Sequence, residues 1–262
     1  MMLFNNEPID NKDYSEEILN HGLSLYEVCR VFRGKVIFLH DNILRLDNSI
    51  KKSGLKIDIA DLNVEGKLNH LIELEHIKEG NIKYVLHVSP SGIDEYVYQI
   101  KHSYPTEEAY QHGIDTVTCR AMRENAEVKY INSGLREMTN KIMQEQGVYE
   151  VLLIDKEEYI TEGSRSNVFF IKDNTLYTAP LPHVLPGTRR KRVLTICEEN
   201  SIPVEEKRVA YKELSAYDAA FITGTSPLVL PILHIDKITF NPRHPFLVKV
   251  MERYFDLLSK NF

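Results

Sequence analysis

Ile82, Tyr84, Leu86 and Val88 recur at every second position along one short run. Alternation with period two sends one face of a segment into a core, so this run predicts a half-buried β-strand. It has company on both sides. Residues 23–32 read as a strand and residues 35–39 as its partner, with Arg33-Gly34 suited to the turn between them. Between these strand signals the period lengthens to that of a helix. Asp41 can cap a helix running to Ser53, with Gly54 just past its end and Ile43, Leu46 and Ile50 on one face. A second helix is predicted over residues 64–78. Ser89-Pro90-Ser91-Gly92 then turns the chain into a returning strand, residues 95–101. The first hundred residues therefore predict an α+β unit.

Residues 103–113 are polar, contain Pro105 and lack an apolar period, which predicts an interdomain linker and a division into residues 1–108 and 109–262. Beyond it the pattern gives a strand over 114–120 and a helix over 133–146 that ends at Gly147. Strands follow over 151–154, 159–161 and 168–171. A helix over 189–199 follows Pro186-Gly187-Thr188. A strand over 219–223 runs into Gly224-Thr225-Ser226-Pro227. A last helix over 245–259 carries Phe246, Leu247, Val250, Met251, Tyr254, Leu257 and Leu258 on one stripe. No internal repeat or low-complexity segment interrupts this order.

Composition removes several classes of function. The 262 residues carry a formal net charge of -6, and a nucleic-acid binder needs a basic face. Arg189-Arg190-Lys191-Arg192 is too short a run to supply one. Cys29, Cys119 and Cys197 are odd in number and far apart, so neither a disulfide framework nor a zinc site is expected. Residues 1–20 are polar and acidic, unlike a signal peptide, and no apolar stretch approaches the ~20 residues of a membrane span. A cytoplasmic protein is the expectation. His70 and His76 are spaced too awkwardly to share a metal on one helical face, and neither a GxSxG elbow nor an HExxH motif occurs.

The residues that could carry chemistry are scattered. Leu185-Pro186-Gly187-Thr188 runs straight into a helix, whose free N–H groups and dipole favour an anion. Thr223-Gly224-Thr225-Ser226 follows a strand and offers hydroxyls and bare backbone. Glu162-Gly163-Ser164-Arg165-Ser166-Asn167 places a carboxylate and small residues between two strands. Lys129 lies between Val128 and Tyr130, and apolar neighbours can desolvate an amine into a nucleophile. Arg45 could grip a phosphate with its fork. Taken singly, each is better explained by a turn, a solvated lysine or a surface arginine.

In order along the chain, the same pieces resemble the class IV pyridoxal-phosphate aminotransferases, a group that spans branched-chain and D-amino acid aminotransferases and aminodeoxychorismate lyases. The resemblance rests on Gly22-Leu23-Ser24-Leu25-Tyr26-Glu27, Arg45-Leu46, Lys129-Tyr130-Ile131-Asn132, the segment from Tyr159 to Asn167, Leu185-Pro186-Gly187-Thr188-Arg189-Arg190, and Phe221-Ile222-Thr223-Gly224-Thr225-Ser226. It covers nearly the whole chain, and the Glu162 signature is its most specific part. It implies a two-domain α+β fold of fold type IV, with a small N-terminal sandwich-like domain, a larger C-terminal pseudo-barrel domain, and the cofactor at the domain interface. It implies a homodimer. It also implies that Lys129 holds pyridoxal 5'-phosphate as a Schiff base and that Glu162 keeps the ring nitrogen protonated. Thr188, the Arg189 backbone, Thr225 and the Arg45 cation would then hold the phosphate.

The sequence departs from that family at informative places. Arg189 stands where a threonine is usual in the first phosphate turn, and Asn42 where many members have histidine. Gly134 replaces a tyrosine of the branched-chain enzymes. The strand over 82–89 lacks the arginine and glycine of the D-amino acid enzymes, so the grip on a substrate carboxylate is open among Tyr26, Arg30, Lys83, His87 and Arg123. The resemblance implies transamination between an amino acid and a 2-keto acid, and Glu27 favours this over the lyases, which tend to carry threonine there. Elimination of pyruvate from aminodeoxychorismate is the alternative, and a cofactor-binding protein without robust catalysis is the third reading.

Overall fold

The computed structural model describes residues 1–261, and the chain forms two compact units. The first comprises Met1–Ser103 and the returning segment Val128–Ser133. The second comprises Tyr104–Glu127 and Gly134–Asn261. The units therefore part a few residues before the expected 108/109 boundary, and the chain revisits the first unit at Lys129.

In the first unit the strands are β1 (Met2–Phe4), β2 (Glu7–Ile9), β3 (Leu23–Phe32), β4 (Lys35–Val36), β5 (Glu79–Ser89) and β6 (Gly92–Ile100). They form one antiparallel sheet in the order β2-β1-β6-β5-β3-β4. Alternation divides its two faces. Leu25, Cys29, Val31, Ile82, Tyr84 and Leu86 enter one core with Leu46 and Ile50 of helix α1 (Leu39–Lys52) and Leu68 and Leu71 of helix α2 (Val64–Leu74). Tyr26, Val85, Tyr96 and Tyr98 point the other way and pack with Met2 and Leu19. Because the side-chain period is two, Glu27 falls on the apolar face and Lys83 and His87 on the aromatic one.

Three sequence expectations are corrected here. The strand expected over 35–39 stops at Val36. Helix α1 begins at Leu39, after Phe38 in a left-handed conformation (φ 55°) with no side-chain cap, so Asp41 sits in the first turn instead of capping. The helix expected over 64–78 ends at Leu74, because the residues that follow feed the longest strand of the sheet.

The second unit is built on a ten-stranded sheet. After helix α3 (Glu107–His112) come β7 (Ile114–Arg120), helix α4 (Ser133–Gln146), β8 (Glu150–Ile154), β9 (Tyr159–Gly163), β10 (Asn167–Lys172) and β11 (Thr175–Thr178). Helix α5 (Thr188–Glu199), β12 (Val204–Glu206), β13 (Val209–Ala210), β14 (Ala219–Gly224), β15 (Leu228–Ile235), β16 (Ile238–Thr239) and helix α6 (Pro245–Asn261) complete it. The order is β12-β11-β10-β14-β15-β7-β8-β9-β13, with β16 on β15. The expected linker thus contains a helix. Thr106 caps α3 by accepting from the Ala109 N–H, and α3 buries none of its residues, so it leaves no apolar period to read. Phe169 and Phe221 stack at the centre of the sheet, ring centroids 4.9 Å apart. No helix among the described residues is long and apolar enough to cross a membrane.

Candidate active site

Lys129 reaches its place because the segment carrying it closes the free edge of β3. The Tyr26 N–H donates to the Lys129 carbonyl at 3.0 Å, and the Ile131 N–H donates to the Ser24 carbonyl at 2.9 Å. The Lys129 N–H itself donates to the buried Ser49 hydroxyl of α1 at 3.2 Å. Three backbone bonds thus hold a segment with no regular structure, and they point the amine at the aromatic face. Lys129 Nζ lies 4.4 Å from the centroid of the buried Tyr26 ring, within cation–π range.

Arg45 and Glu27 meet on the opposite face of the same sheet. Arg45 Nε donates to Glu27 Oε1 at 2.7 Å and Nη2 to Oε2 at 2.6 Å, a bidentate fork, while Asn42 Nδ2 donates to Oε2 at 2.7 Å. Both side chains of the ion pair are buried. Burial works against the Arg45 charge, but Glu27 outweighs it and holds the guanidinium pKa above its usual value. His87 is buried too, with Nδ1 2.8 Å from the Ser24 hydroxyl. Arg30 pairs across the ladder with Asn81.

The second unit gathers its candidates around β9, β10 and β14. The Glu162 carboxylate is buried and held from two sides: Arg123 Nε donates to Oε1 at 2.9 Å, and the Leu185 N–H donates to Oε2 at 3.0 Å. Arg123 Nη2 also donates to the Ser164 carbonyl at 3.2 Å. Asn167 ties the rest together. Its Nδ2 donates to the Leu185 carbonyl at 2.9 Å, and on the ladder it stands opposite Thr223. A Cβ added at Gly187 would collide with Asn167 Oδ1, so glycine is required there by close approach and not by backbone conformation. The two Gly-Thr turns, far apart along the chain, therefore converge on Asn167.

The surroundings suit an anion beside a gripped carboxylate. Gly187 caps α5 without any side-chain hydrogen bond, which leaves the helix N-terminus to another acceptor. Thr223 Oγ1 is buried with no hydrogen-bond partner, at the start of the second turn. Native proteins satisfy nearly all such groups, so an orphan hydroxyl here points to a missing acceptor. Thr188 and Arg189, the first two residues of α5, are buried. No group of three or more potential metal ligands exists among the described residues.

A family model, amino-transferase class IV, matches residues 24–235. The chain belongs to the class IV aminotransferases. A D-alanine aminotransferase of Bacillus licheniformis is 28% identical over 93% of this chain and 91% of the relative. A branched-chain-amino-acid aminotransferase of Pseudomonas aeruginosa is 27% identical over 98% and 92%. A solved branched-chain amino acid aminotransferase from Escherichia coli superposes with a TM-score of 0.82 at 22% identity, covering 98% of this chain and 93% of that one. The fold of this class IV aminotransferase is thus the α+β, fold-type IV architecture expected from the sequence.

Two residues of the site escaped the sequence reading. Asn167 stands within the Glu162 signature, where no local pattern marks its task. Glu150 directly precedes the strand predicted over 151–154. It is buried, accepts from the Ser164 and Ser166 hydroxyls at 2.6 and 2.8 Å and from the Val151 and Arg165 N–H groups, and so fixes the turn that follows Glu162. Its only signal was a glutamate at the start of an otherwise apolar strand. Glu150→Ala is expected to leave several buried donors unsatisfied, at about 1–3 kcal/mol each. A fall in melting temperature accompanied by weaker cofactor binding in a spectral titration would check this.

Proposed function

We propose that this class IV aminotransferase binds pyridoxal 5'-phosphate and transfers the amino group of an amino acid to a 2-oxo acid. The observation that carries the reading is the Glu162 carboxylate, gripped by Arg123 and the Leu185 N–H, beside the point where an uncapped helix N-terminus and an orphan hydroxyl converge. A ring nitrogen that must stay protonated and a phosphate that needs donors fit those two features. The resemblance implies Lys129, Glu162, Thr188, the Arg189 backbone, Thr225 and Arg45 as the cofactor residues.

Bound, the cofactor supplies an aldehyde that takes up amino groups and a ring that withdraws electrons. Lys129 Nζ binds it in the resting enzyme. When free, the same Nζ would serve as the base that removes and holds the proton from the substrate α-carbon. Glu162 would hold the proton on the ring nitrogen, and Arg123, which donates to it, orients that carboxylate. Thr188 and the N–H groups of α5 bind the phosphate. Arg45 has two of its donors and its charge committed to Glu27, so toward a phosphate it would offer only its remaining N–H groups. We further propose that the enzyme acts as a homodimer, and that it works in the cytoplasm, a location that the three free cysteines support.

The deciding experiment is a spectral titration of the cofactor-loaded protein with amino acids of both hands. Conversion to the pyridoxamine form, reversed by a 2-oxo acid, is expected. Pyruvate released from aminodeoxychorismate with no amino acceptor would replace transamination by lyase chemistry. A cofactor spectrum unmoved by any amino acid would leave a binding protein. Gly187→Ala tests the phosphate end separately. Overpacking against Asn167 is expected to weaken cofactor binding by about 10- to 100-fold, read as the dissociation constant from the same spectra.

A further inference from the structure

On the aromatic face of the first unit, Tyr26 carries a second ammonium group. Lys83 Nζ lies 5.5 Å from the Tyr26 ring centroid, the ring that Lys129 Nζ approaches to 4.4 Å. Both amines therefore lie within cation–π range of one ring. Lys83 comes from β5, opposite Val28 on β3 and Tyr98 on β6, and its side chain is only 13% exposed. It is paired with Glu16 at 3.0 Å, from the short 3-10 turn Glu16–Asn20 that precedes β3. The Tyr98 hydroxyl donates to the same Glu16 oxygen at 2.6 Å. Burial disfavours the Glu16 charge, but Tyr98 and Lys83 outweigh it and hold the carboxyl below the usual range.

The pair is unequal. Lys83 is enclosed by the sheet and the tyrosines, whereas the Glu16 side chain is 60% exposed. A carboxylate that open to water is a weak competitor for its cation. We infer that Lys83 is the anchor for the substrate α-carboxylate, and that Glu16 occupies this subsite until a substrate carboxylate displaces it. This rests on the proposed transamination, since it takes Lys129 as the amine that the substrate replaces. An α-amino acid holds its carboxylate one carbon from its amine. An ammonium hydrogen bond of ~2.8 Å and the flexible four-carbon stem of lysine extend the reach of Lys83 toward that carboxylate. Lys83 thereby fills a role for which β5 offers no arginine.

The test reads carboxylate binding apart from turnover. Propionate is titrated into the cofactor-loaded protein by absorbance and into the cofactor-free protein by calorimetry. Half-reaction KM and kcat are measured for an amino acid and for a primary amine without a carboxylate. Lys83→Gln is expected to raise the propionate dissociation constant and the amino-acid KM by about 10- to 100-fold, with kcat and the amine KM little changed. Lys83→Arg is expected to restore most of the affinity. Glu16→Gln, at an exposed side chain, is expected to tighten propionate binding. The inference is overturned if Lys83→Gln leaves propionate binding unchanged, if it raises the amine KM as much as the amino-acid KM, or if Glu16→Gln fails to tighten propionate. Should no amino acid react with the wild-type protein, the propionate titrations still decide the role of Lys83, and the failure is that of the transamination reading.

Discussion

Lys129→Ala is expected to lower the rate of amino-group transfer by about 1,000-fold or more, and to remove any cofactor that borohydride can fix to the protein. Removing a positioned general base alone costs about 100- to 10,000-fold. On the proposed assignment the same amine also binds the cofactor, so both functions would go together. Substrate affinity is expected to change far less, because Tyr26 and Lys83 are anchored by the sheet and not by the lysine side chain. An added small amine should recover part of the rate, since the missing group is a base and not a piece of the framework. The measurement is a single-turnover spectrum with and without borohydride. A variant that kept a fixable cofactor would remove Lys129 from the reaction altogether. The local structure gives the substitution little reason to disturb the fold. The segment is held through the backbone of Lys129 and Ile131, by Tyr26, Ser24 and Ser49, and alanine keeps all of those bonds.

That division between backbone and side chain explains what could be read in the sequence. Strand β3, strand β7 and helix α4 were predicted with their observed ends, because each carries a clear period and a clean turn at its border. Met2 and Leu3 are buried, yet β1 is three residues long, too short for alternation to register. Strand β15 lies inside the large sheet but contains Pro231, and a proline argues against a central strand. The site followed the same rule. Lys129, Glu162 and the two Gly-Thr turns were legible as an ordered set that resembles a family. Their partners were not. Arg123 is one of five candidates for substrate recognition, and its grip on Glu162 is not legible because a contact across 39 residues leaves no local signature. Glu150, Asn167 and the Lys83–Glu16 pair were hidden for the same reason. In each case the fold brings distant segments together, and no sequence period encodes which polar residues then face one another.

Glu27 and Arg45 make the sharpest case, and the largest expected effect on stability. Alternation puts a carboxylate on the apolar face of β3, where an unpaired charge would be ruinous. Helix α1 answers with Arg45 and Asn42, which supply three short hydrogen bonds. Glu27→Ala removes the carboxylate and strands the guanidinium among Cys29, Leu46 and the rest of that core. Breaking one side of a buried pair costs about 3–5 kcal/mol. At about 2–4 °C per kcal/mol for chains somewhat smaller than this, the melting transition is expected to fall by roughly 6–20 °C. Arg45→Met should also destabilise, since it leaves Glu27 with Asn42 alone. The double variant Glu27→Ala, Arg45→Met is expected to recover part of the loss, because neither charge is then buried unpaired. Cofactor affinity separates this structural role from the one proposed for Arg45. If the guanidinium also serves the phosphate, the double variant regains stability but not affinity. A double variant that regained both would confine Arg45 to the core of the first unit.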